Sequence, residues 1–204
     1  MLIVGLTGSI GMGKSTAAAV FREHGFAVFD ADACVHGLYS GKAVPLIEAA
    51  FPGATETGQV DRGKLSAALL ADESGFQRLE AIVHPLVRDA EREFLHIEFA
   101  LGAPVAVLEI PLLYETGADA LVDVVVVVST DPQTQIARVL ERPGMTREKL
   151  DQIRSRQIPD NEKRARADYV VDTGASLSQS RAELDSIIAA LKQRQPQAYQ
   201  RHWA

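Results

Sequence analysis

The sequence has one cysteine, no excess of basic residues and no long apolar run. Its cysteine, Cys34, excludes a disulfide framework and favours a reducing compartment, so we expect a cytoplasmic protein. The net charge is −6, whereas general binding to nucleic acid needs a basic surface that neutralises phosphates, so no nucleic-acid partner is expected. The run Val124–Val128 is far too short to cross a bilayer, and the N-terminal apolar stretch has no basic leader. We therefore expect neither a membrane span nor a targeting segment.

The length and composition fit a globular α/β protein. The chain has 204 residues, of which 47% are hydrophobic and 24% charged, enough for one domain or for one domain with a small inserted subdomain. Apolar runs without in-and-out alternation predict parallel strands buried on both faces at 2–6, 27–29, 105–108, 124–128 and 169–171. Helices are predicted at 14–23, 132–140 and 177–192. This order predicts a three-layer α/β sandwich with right-handed crossovers.

The interval from Asp30 to Gly102 interrupts the alternation of strands and helices. It has helix patterns and turn signals but no convincing strand, so an inserted helical subdomain is predicted. Its predicted helices are 33–38, 45–51, 63–70, 76–83 and 86–101, the last two separated at His84-Pro85 because proline suits the first turn of a helix. Ligands of open α/β sheets bind beyond the carboxyl ends of the strands, so an insertion there would overhang the ligand site. The polar tail 193–204 is predicted to be loosely ordered.

A glycine-rich loop follows the first apolar run. Residues 8–16 read Gly-Ser-Ile-Gly-Met-Gly-Lys-Ser-Thr, which is the phosphate-binding pattern G-x-x-x-x-G-K-[ST] between a strand and a helix. The glycines let successive backbone N–H groups turn toward an anion, and the next helix directs its positive end to the same point. Lys14 is placed to bridge the β- and γ-phosphates, and the Ser15 hydroxyl to bind Mg²⁺. The sequence therefore predicts a nucleoside-triphosphate site.

Carboxylates follow two of the other predicted strands. Asp30 and Asp32 come after the second strand, which would place them near the γ-phosphate. One of them could cap the helix that follows; both cannot cap the same helix, so the other is a candidate base. Which of the two is the base stays open. Glu109 ends the third strand, where a carboxylate can hold Mg²⁺ through water.

Other polar residues have two interpretations from the sequence alone. The segment 138–166, which we name the lid segment, has nine basic and five acidic side chains, whereas the rest of the chain has a charge of −10. Mixed charge is typical of a solvated helix face, and a basic patch is also what a lid over a triphosphate needs. In the same way, Tyr114 and Glu115 fit either a surface edge or the site. His84 fits either a helix boundary or the site.

Absent motifs narrow the class of nucleotide-binding protein. No Asn-Lys-x-Asp is present to read guanine, and no Asp-x-x-Gly follows a predicted strand to sense a γ-phosphate, which argues against a GTPase switch. The size and the helical insertion favour a small-molecule kinase, because such an enzyme needs an acceptor pocket and a cover that excludes water. Two alternatives stay open: a nucleotide or nucleoside kinase of the same architecture, and an ATPase that works as a switch or in assembly.

Six short segments, in their order along the chain, resemble those of the dephospho-CoA kinase family. The resemblance covers nearly the whole chain, and the later segments make it more specific than the glycine-rich loop alone. The segments are Gly5-Leu6-Thr7-Gly8-Ser9-Ile10-Gly11-Met12-Gly13-Lys14-Ser15-Thr16, Asp30-Ala31-Asp32, His84-Pro85-Leu86-Val87-Arg88, Ile110-Pro111-Leu112-Leu113-Tyr114-Glu115, Arg142-Pro143-Gly144-Met145-Thr146 and Asp168-Tyr169-Val170-Val171-Asp172.

The resemblance implies a fold and an activity. The fold is the three-layer P-loop kinase fold with a parallel five-stranded sheet. Its core lies at 1–30, 103–137 and 167–192, its helical CoA-binding insertion at 31–102 and its helical lid at 138–166. The activity is transfer of the γ-phosphoryl group of ATP, with Mg²⁺, to the 3′-hydroxyl of dephospho-CoA, which gives CoA and ADP. A monomer or a weak homo-oligomer is expected.

The resemblance also implies roles for individual residues. Asp32 is the expected base, and Lys14, Arg138 and Arg142 are expected to reach the phosphates. The expected nucleotide-binding residues are Gly8, Gly11, Met12, Gly13, Lys14, Ser15 and Thr16. The expected acceptor-binding residues are Asp32, His84, Arg88, Leu112, Tyr114 and Glu115. Ser15 and Glu109 are the expected metal ligands.

Overall fold

The chain is organised around a five-stranded sheet. A computed structural model describes residues 1–72 and 74–204. The strands are β1 (Leu2–Thr7), β2 (Ala27–Asp30), β3 (Thr55–Glu56), β4 (Gln59–Val60), β5 (Val105–Glu109), β6 (Val124–Ser129) and β7 (Tyr169–Asp172). The larger sheet has the order β2-β5-β1-β6-β7, and β3 and β4 form a separate antiparallel pair. The predicted parallel five-stranded sheet is confirmed, because β1 runs parallel to β5 and β6, and β6 runs parallel to β7.

Helices connect the strands and flank the sheet, as the predicted α/β fold requires. The α-helices are α1 (Lys14–Glu23), α2 (Ala31–Leu38), α3 (Val44–Ala50), α4 (Arg62–Leu70), α5 (Gly75–Ala100), α6 (Pro132–Leu140), α7 (Arg147–Arg154), α8 (Asp160–Arg166) and α9 (Leu177–Leu191). A 3₁₀ helix covers Ala118–Leu121, and a π-helical turn covers Tyr199–Trp203. Among the described residues, no helix has both the length and the apolar character that a membrane span needs.

The central strands are buried along their whole length. Every residue of β1 and of β6 is buried, which agrees with the apolar runs that predicted strands covered on both faces. The core cluster joins Val4 of β1 and Val126 of β6 to Phe21 of α1 and Ile188 of α9. The central position of β1 fixes the place of the glycine-rich loop that leaves its carboxyl end.

Contacts divide the chain into two compact units. The first comprises residues 1–29 and 95–204, and the second comprises residues 30–94. The second unit has its own core, in which Ile47 of α3 and Leu65 of α4 are buried. It also contains the β3–β4 hairpin, so the prediction that this interval has no strand was wrong. Strands of two residues are too short to show alternation, and the turn at Thr57-Gly58, with φ values of 51° and 79°, is the type that joins such strands.

Helix α5 runs without interruption through Pro85, so the predicted break at His84-Pro85 was wrong. A proline inside a helix removes one backbone N–H and crowds the preceding turn. Packing on both sides of this position offsets that loss, because Val83 is 7% exposed and Leu86 packs against the core of the second unit. The proline ring itself is exposed.

The C-terminal tail is packed against the first unit, so the prediction of loose order was wrong. Trp203 is only 2% exposed, and its Nε1–H donates to the carbonyl of Leu121 at 2.8 Å. The ring of Tyr199 stacks on that of Phe99 with 4.1 Å between centroids. These partners lie 82 or more residues away in the chain, so no local pattern indicates them.

Candidate functional site

The glycine-rich loop lies directly over the end of β6. A Cβ atom on Gly8 would lie 2.5 Å from the carbonyl oxygen of Val128, so only glycine permits this approach. Gly13 has a φ of +89° and occupies the position before the first residue of α1. Glycine adopts this left-handed conformation without strain, which lets the chain turn from the loop into the helix.

The start of α1 provides a positive pole beside the loop. Lys14 begins the helix and folds back, so that its Nζ donates to the carbonyl of Gly8 at 3.1 Å. Ser15 and Thr16 follow in the first turn and are exposed. This first turn has no acidic side chain, so the positive end of the helix dipole is not neutralised locally. The arrangement is suited to binding a phosphate group.

Arg138 and Thr173 hold the second half of the loop. The hydroxyl of Thr173, after β7, donates to the carbonyl of Met12 at 2.8 Å. The guanidinium of Arg138 donates to Thr173 Oγ1 at 3.2 Å and to the Thr173 carbonyl at 2.7 Å. The backbone N–H of Thr130 donates to the Met12 sulfur at 3.2 Å. The structure therefore brings the expected phosphate ligand Arg138 next to the loop, through a threonine that the sequence did not indicate.

Two glutamines hold the first half of the loop. The backbone N–H of Ile10 donates to Gln157 Oε1 at 3.2 Å, and Gln135 Nε2 donates to the Ile10 carbonyl at 2.8 Å. Gln135 belongs to α6 and is 3% exposed, whereas Gln157 lies between α7 and α8. The loop thus has side-chain partners from α6 and from the part of the lid segment between α7 and α8.

The expected metal ligands are both oxygen donors. Glu109 is paired with Leu6 in the register of β5 and β1, which places it one strand away from the start of the loop, and it is 5% exposed. Ser15 supplies an exposed hydroxyl in the first turn of α1. Within residues 1–72 and 74–204, no group of three or more His, Cys, Asp or Glu side chains could hold a metal ion. One hydroxyl and one carboxylate, completed by phosphates and water, fit the way in which proteins bind Mg²⁺.

A cavity of about 890 Å³ borders the loop. Its walls come from the loop, the start of α6 and the segment that joins α7 to α8; the polar lining includes Ser9, Gln135, Arg154, Gln157, Asp160 and Arg164. The hydroxyl of Ser129 donates to Asp160 Oδ2 at 2.7 Å. Two basic residues of the lid segment, Arg154 and Arg164, therefore line a cavity next to the glycine-rich loop.

The segment after β5 is tied to α8 by a buried ion pair. Glu115 Oε1 lies 2.8 Å from Lys163 Nζ, and Lys163 is fully buried. The same oxygen accepts the backbone N–H of Ile158 at 2.7 Å. The guanidinium of Arg166 lies 4.1 Å from the centroid of the Tyr114 ring, and burial raises the pKa of Tyr114 to about 12. Tyr114 and Glu115, two of the candidate acceptor-binding residues, thus contact the second half of the lid segment.

The comparison with known families decides the family of the chain. The model of the family described as dephospho-CoA kinase matches residues 2–179. The chain belongs to the dephospho-CoA kinase family. The family is that of the resemblance seen in the sequence, and its P-loop kinase fold agrees with the observed sheet and helices.

Relatives in the dephospho-CoA kinase family match almost the whole chain. A dephospho-CoA kinase of Rhodopseudomonas palustris is 58% identical over 190 residues, which are 93% of this chain and 96% of the relative. One of Rhizobium etli is 59% identical over 194 residues, 95% of this chain and 96% of the relative. A protein of Thermus thermophilus has a crystal structure that is similar with a TM-score of 0.81 and 36% identity, covering 93% of this chain and 97% of that one.

The two aspartates of the family's Asp-Ala-Asp segment have different surroundings in this chain. Asp30 Oδ1 accepts the backbone N–H of Ala33 at 2.9 Å and caps α2. Asp32 lies in the first turn of α2 and is exposed. The need for a helix cap therefore accounts for Asp30 and leaves Asp32 as the carboxylate without that structural role.

His84 and Arg88, which the dephospho-CoA kinase resemblance also assigns to the acceptor, lie on α5. Arg88 Nη1 donates to Glu91 Oε2 at 2.9 Å. Glu91 is 3% exposed, and its burial raises the pKa of its carboxyl, an effect that Arg88 opposes. His84 is exposed one turn earlier. Sequence reasoning missed Glu91, because a carboxylate within a helical pattern looks like a solvated residue unless the helix packing is known.

Proposed function

We propose that the chain transfers the γ-phosphoryl group of ATP to the 3′-hydroxyl of dephospho-CoA, giving CoA and ADP. The observation that carries the proposal is the phosphate-binding loop, in which Lys14 folds back over Gly8 at the positive end of α1, in a chain of the dephospho-CoA kinase family. In the reaction, a bond forms between the 3′-oxygen and the γ-phosphorus, and the bond between that phosphorus and the β–γ bridging oxygen breaks.

Charge neutralisation is the main task of the protein in such a transfer. Negative charge spreads over the oxygens of the transferred phosphoryl group, and cationic side chains stabilise it. Lys14 supplies one cation from the loop. Arg138 already lies next to the loop through Thr173, and Arg142 is exposed just beyond the end of α6. We assign these three residues to the β- and γ-phosphates.

The protein offers oxygen ligands for the metal ion that accompanies ATP. Mg²⁺, when bound, neutralises the β- and γ-phosphates and orients them. We propose that Ser15 and Glu109 hold it, Ser15 directly through its hydroxyl and Glu109 through water. The oxygen chemistry of both side chains and the position of Glu109 beside β1 support this assignment.

Residues of α2, of α5 and of the segment after β5 are proposed to bind and activate the acceptor. We assign Asp32 as the base that takes the proton of the 3′-hydroxyl, because Asp30 is occupied as a helix cap. Arg88, held by Glu91 at 2.9 Å, and His84 are assigned to binding of the acceptor. Leu112, Tyr114 and Glu115 are assigned to the same task from the segment after β5.

We also propose a cellular location and an oligomeric state for the protein. A kinase of coenzyme A synthesis draws on the ATP pool, so we place it in the cytoplasm. We further propose a monomer or a weak homo-oligomer, which size-exclusion chromatography with light scattering over a range of concentrations would test.

An assay with a panel of acceptors tests the proposed function. Purified protein is incubated with ATP, Mg²⁺ and dephospho-CoA, AMP, CMP, adenosine or no acceptor, and ADP release is followed by a coupled reaction. We expect that, of the acceptors tested, only dephospho-CoA supports ADP release. The product should co-elute with CoA. The Lys14→Ala variant should lose turnover by about 100-fold or more, as expected when a preorganised donor to the transition state is removed, whereas Lys192→Ala, an exposed lysine at the end of α9, should not.

The alternatives give different results in the same assay. Turnover with AMP, CMP or adenosine but not dephospho-CoA would identify a nucleotide or nucleoside kinase. ADP release that does not depend on any acceptor would identify an ATPase. Near-normal turnover by a folded Lys14→Ala variant would contradict the assignment of the phosphate loop.

A further inference from the structure

Ile10 of the phosphate loop is held from two sides by the two glutamines. Its N–H donates to Gln157 Oε1 at 3.2 Å, and its carbonyl accepts from Gln135 Nε2 at 2.8 Å. A backbone N–H can only donate and a carbonyl can only accept, so the two contacts also fix the orientation of each side-chain amide. Both peptide planes around Ile10 are therefore fixed by side chains, one on each plane.

The contact from Gln135 belongs to a rigid part of the first unit. Helix α6 packs closely on the loop, since a Cβ on Gly11 would lie 2.5 Å from Val139 Cγ2 and 3.1 Å from the Gln135 carbonyl. The side chain of Gln135 is almost fully buried. This side of Ile10 is thus held by the same packing that holds α6 to the loop.

The contact from Gln157 comes from the lid segment. Gln157 lies in the connector between α7 and α8, residues 155–159. The next residue, Ile158, donates its N–H to Glu115 at 2.7 Å, and Glu115 is paired with the buried Lys163 at 2.8 Å. The position of the Gln157 amide therefore depends on how the connector sits against the segment that follows β5.

We propose that Gln157 is a positioning residue that couples the lid segment to the phosphate loop. Its amide oxygen holds the Ile10 peptide in place before nucleotide binds, so the loop does not have to be ordered by the phosphates themselves. A shift of the connector withdraws that acceptor from Ile10. The inference rests on the proposed function for the identity of the nucleotide, and the Gln157 contact itself provides the coupling.

Paired substitutions test the coupling. Gln157→Met keeps the length of the side chain and removes the acceptor. In Gln157→Met we expect faster hydrogen exchange at the Ile10 amide. We also expect the affinity for the non-hydrolysable analogue AMP-PNP, measured by calorimetry, to fall by about 2- to 10-fold, which corresponds to the loss of one hydrogen bond. The KM for dephospho-CoA should not change. Gln157→Glu keeps an acceptor oxygen and should leave the Ile10 amide protected. The control is Gln152→Met, at an exposed position of α7.

Two results would overturn the proposal. The first is an unchanged Ile10 exchange rate and AMP-PNP affinity in Gln157→Met, indistinguishable from Gln152→Met. The second is a lower melting temperature together with equal increases in the KM for both substrates, which is the result of a merely structural role. Calorimetry with AMP-PNP needs no acceptor, so it tests the coupling even if dephospho-CoA is not a substrate. Failure of the proposed function would show separately, as absence of acceptor-dependent ADP release from the wild-type protein.

Discussion

At the scale of single residues, the two aspartates after β2 separate into a structural and a chemical role. Asp30 caps α2, and asparagine is as good a helix cap as aspartate, so Asp30→Asn should leave both stability and turnover nearly unchanged. Asp32→Asn removes the proposed base and should lower kcat by about 10²- to 10⁴-fold, with a smaller effect on the KM for ATP. Steady-state kinetics of both variants check this. A normal Asp32→Asn together with an inactive Asp30→Asn would show that the roles are reversed.

Glu91 gives the stability of the protein a particular dependence on pH. Burial raises the pKa of this carboxyl above its ordinary value of 4.5, so the folded chain holds the proton more tightly than the unfolded chain. The contribution of Glu91 to stability is therefore full below pH 4.5 and is lost as the pH rises from there through the raised pKa. Glu91→Gln does not titrate, so its free energy of unfolding relative to wild type should improve as the pH rises from 4.5 through the raised pKa of Glu91.

Denaturant unfolding at a series of pH values measures this difference. The exposed Glu80→Gln on the same helix serves as the control and should follow wild type at every pH. A constant difference between Glu91→Gln and wild type over the range would show that Arg88, 2.9 Å away, cancels the effect of burial. In that case the pKa of Glu91 would be the same in the folded and unfolded chains, and the pair with Arg88 would add no pH dependence to the stability.

At the scale of elements, the two interpretations of the lid segment predict very different effects of a mutation. Arg142 is exposed beyond the end of α6, where a surface charge contributes almost nothing to stability. An arginine that reaches a transferring phosphoryl group contributes about 10³- to 10⁵-fold in rate. Arg142→Ala should therefore lower kcat by about 10³-fold or more with little change in melting temperature, and Arg22→Ala at the end of α1, also exposed, should change neither.

Hydrogen exchange tests the same segment without mutation. We expect exchange over residues 138–166 to slow when AMP-PNP and dephospho-CoA bind together. A wild-type kcat in Arg142→Ala, together with identical exchange in the free and bound protein, would contradict the lid interpretation. The segment would then be interpreted as a solvated helix face. The structure already shows that its second half is not only solvated, because Lys163 is fully buried against Glu115.

Elements whose determinants are local were predictable from the sequence, and elements that depend on distant packing were not. The run Val124–Val128 allows few arrangements other than a buried strand, and every residue of β6, which contains this run, is buried. Whether a helix continues through Pro85 depends on how the flanking turns pack, and for this reason the sequence did not predict the continuous α5. The same holds at the site: the loop is contiguous and readable, whereas Gln135 and Gln157 reach Ile10 from 125 and 147 residues away.

At the scale of the whole molecule, the C-terminal tail connects elements of the first unit that are far apart in the chain. Asp123 Oδ2 accepts the N–H of Ile3 in β1 at 2.8 Å, and its Oδ1 accepts the N–H of Gln197 at 2.7 Å. The carbonyl of Trp203 is bonded to the imidazole of His96, near the end of α5. The tail thus contacts the end of α5 and Asp123, and Asp123 in turn holds the start of β1, although the tail lies outside the match to the family model.

Truncation of Trp203 tests whether the tail is part of the core. Loss of a buried aromatic side chain to alanine destabilises a core by about 3–5 kcal/mol, so Trp203→Ala should lower the free energy of unfolding by that amount. Trp203→Phe should have a smaller effect, because it keeps most of the ring volume and loses the Nε1–H bond to Leu121. Both are measured by denaturant unfolding followed by circular dichroism.

The chain has a single tryptophan, so its fluorescence reports on the tail alone. If the tail folds with the core, the wild-type fluorescence and circular dichroism transitions should coincide, as two-state behaviour requires. A fluorescence transition at lower denaturant, together with an unchanged stability of Trp203→Ala, would mean that the tail detaches independently. The contacts of Asp123 and Trp203 would then hold the tail to the first unit without stabilising the sheet.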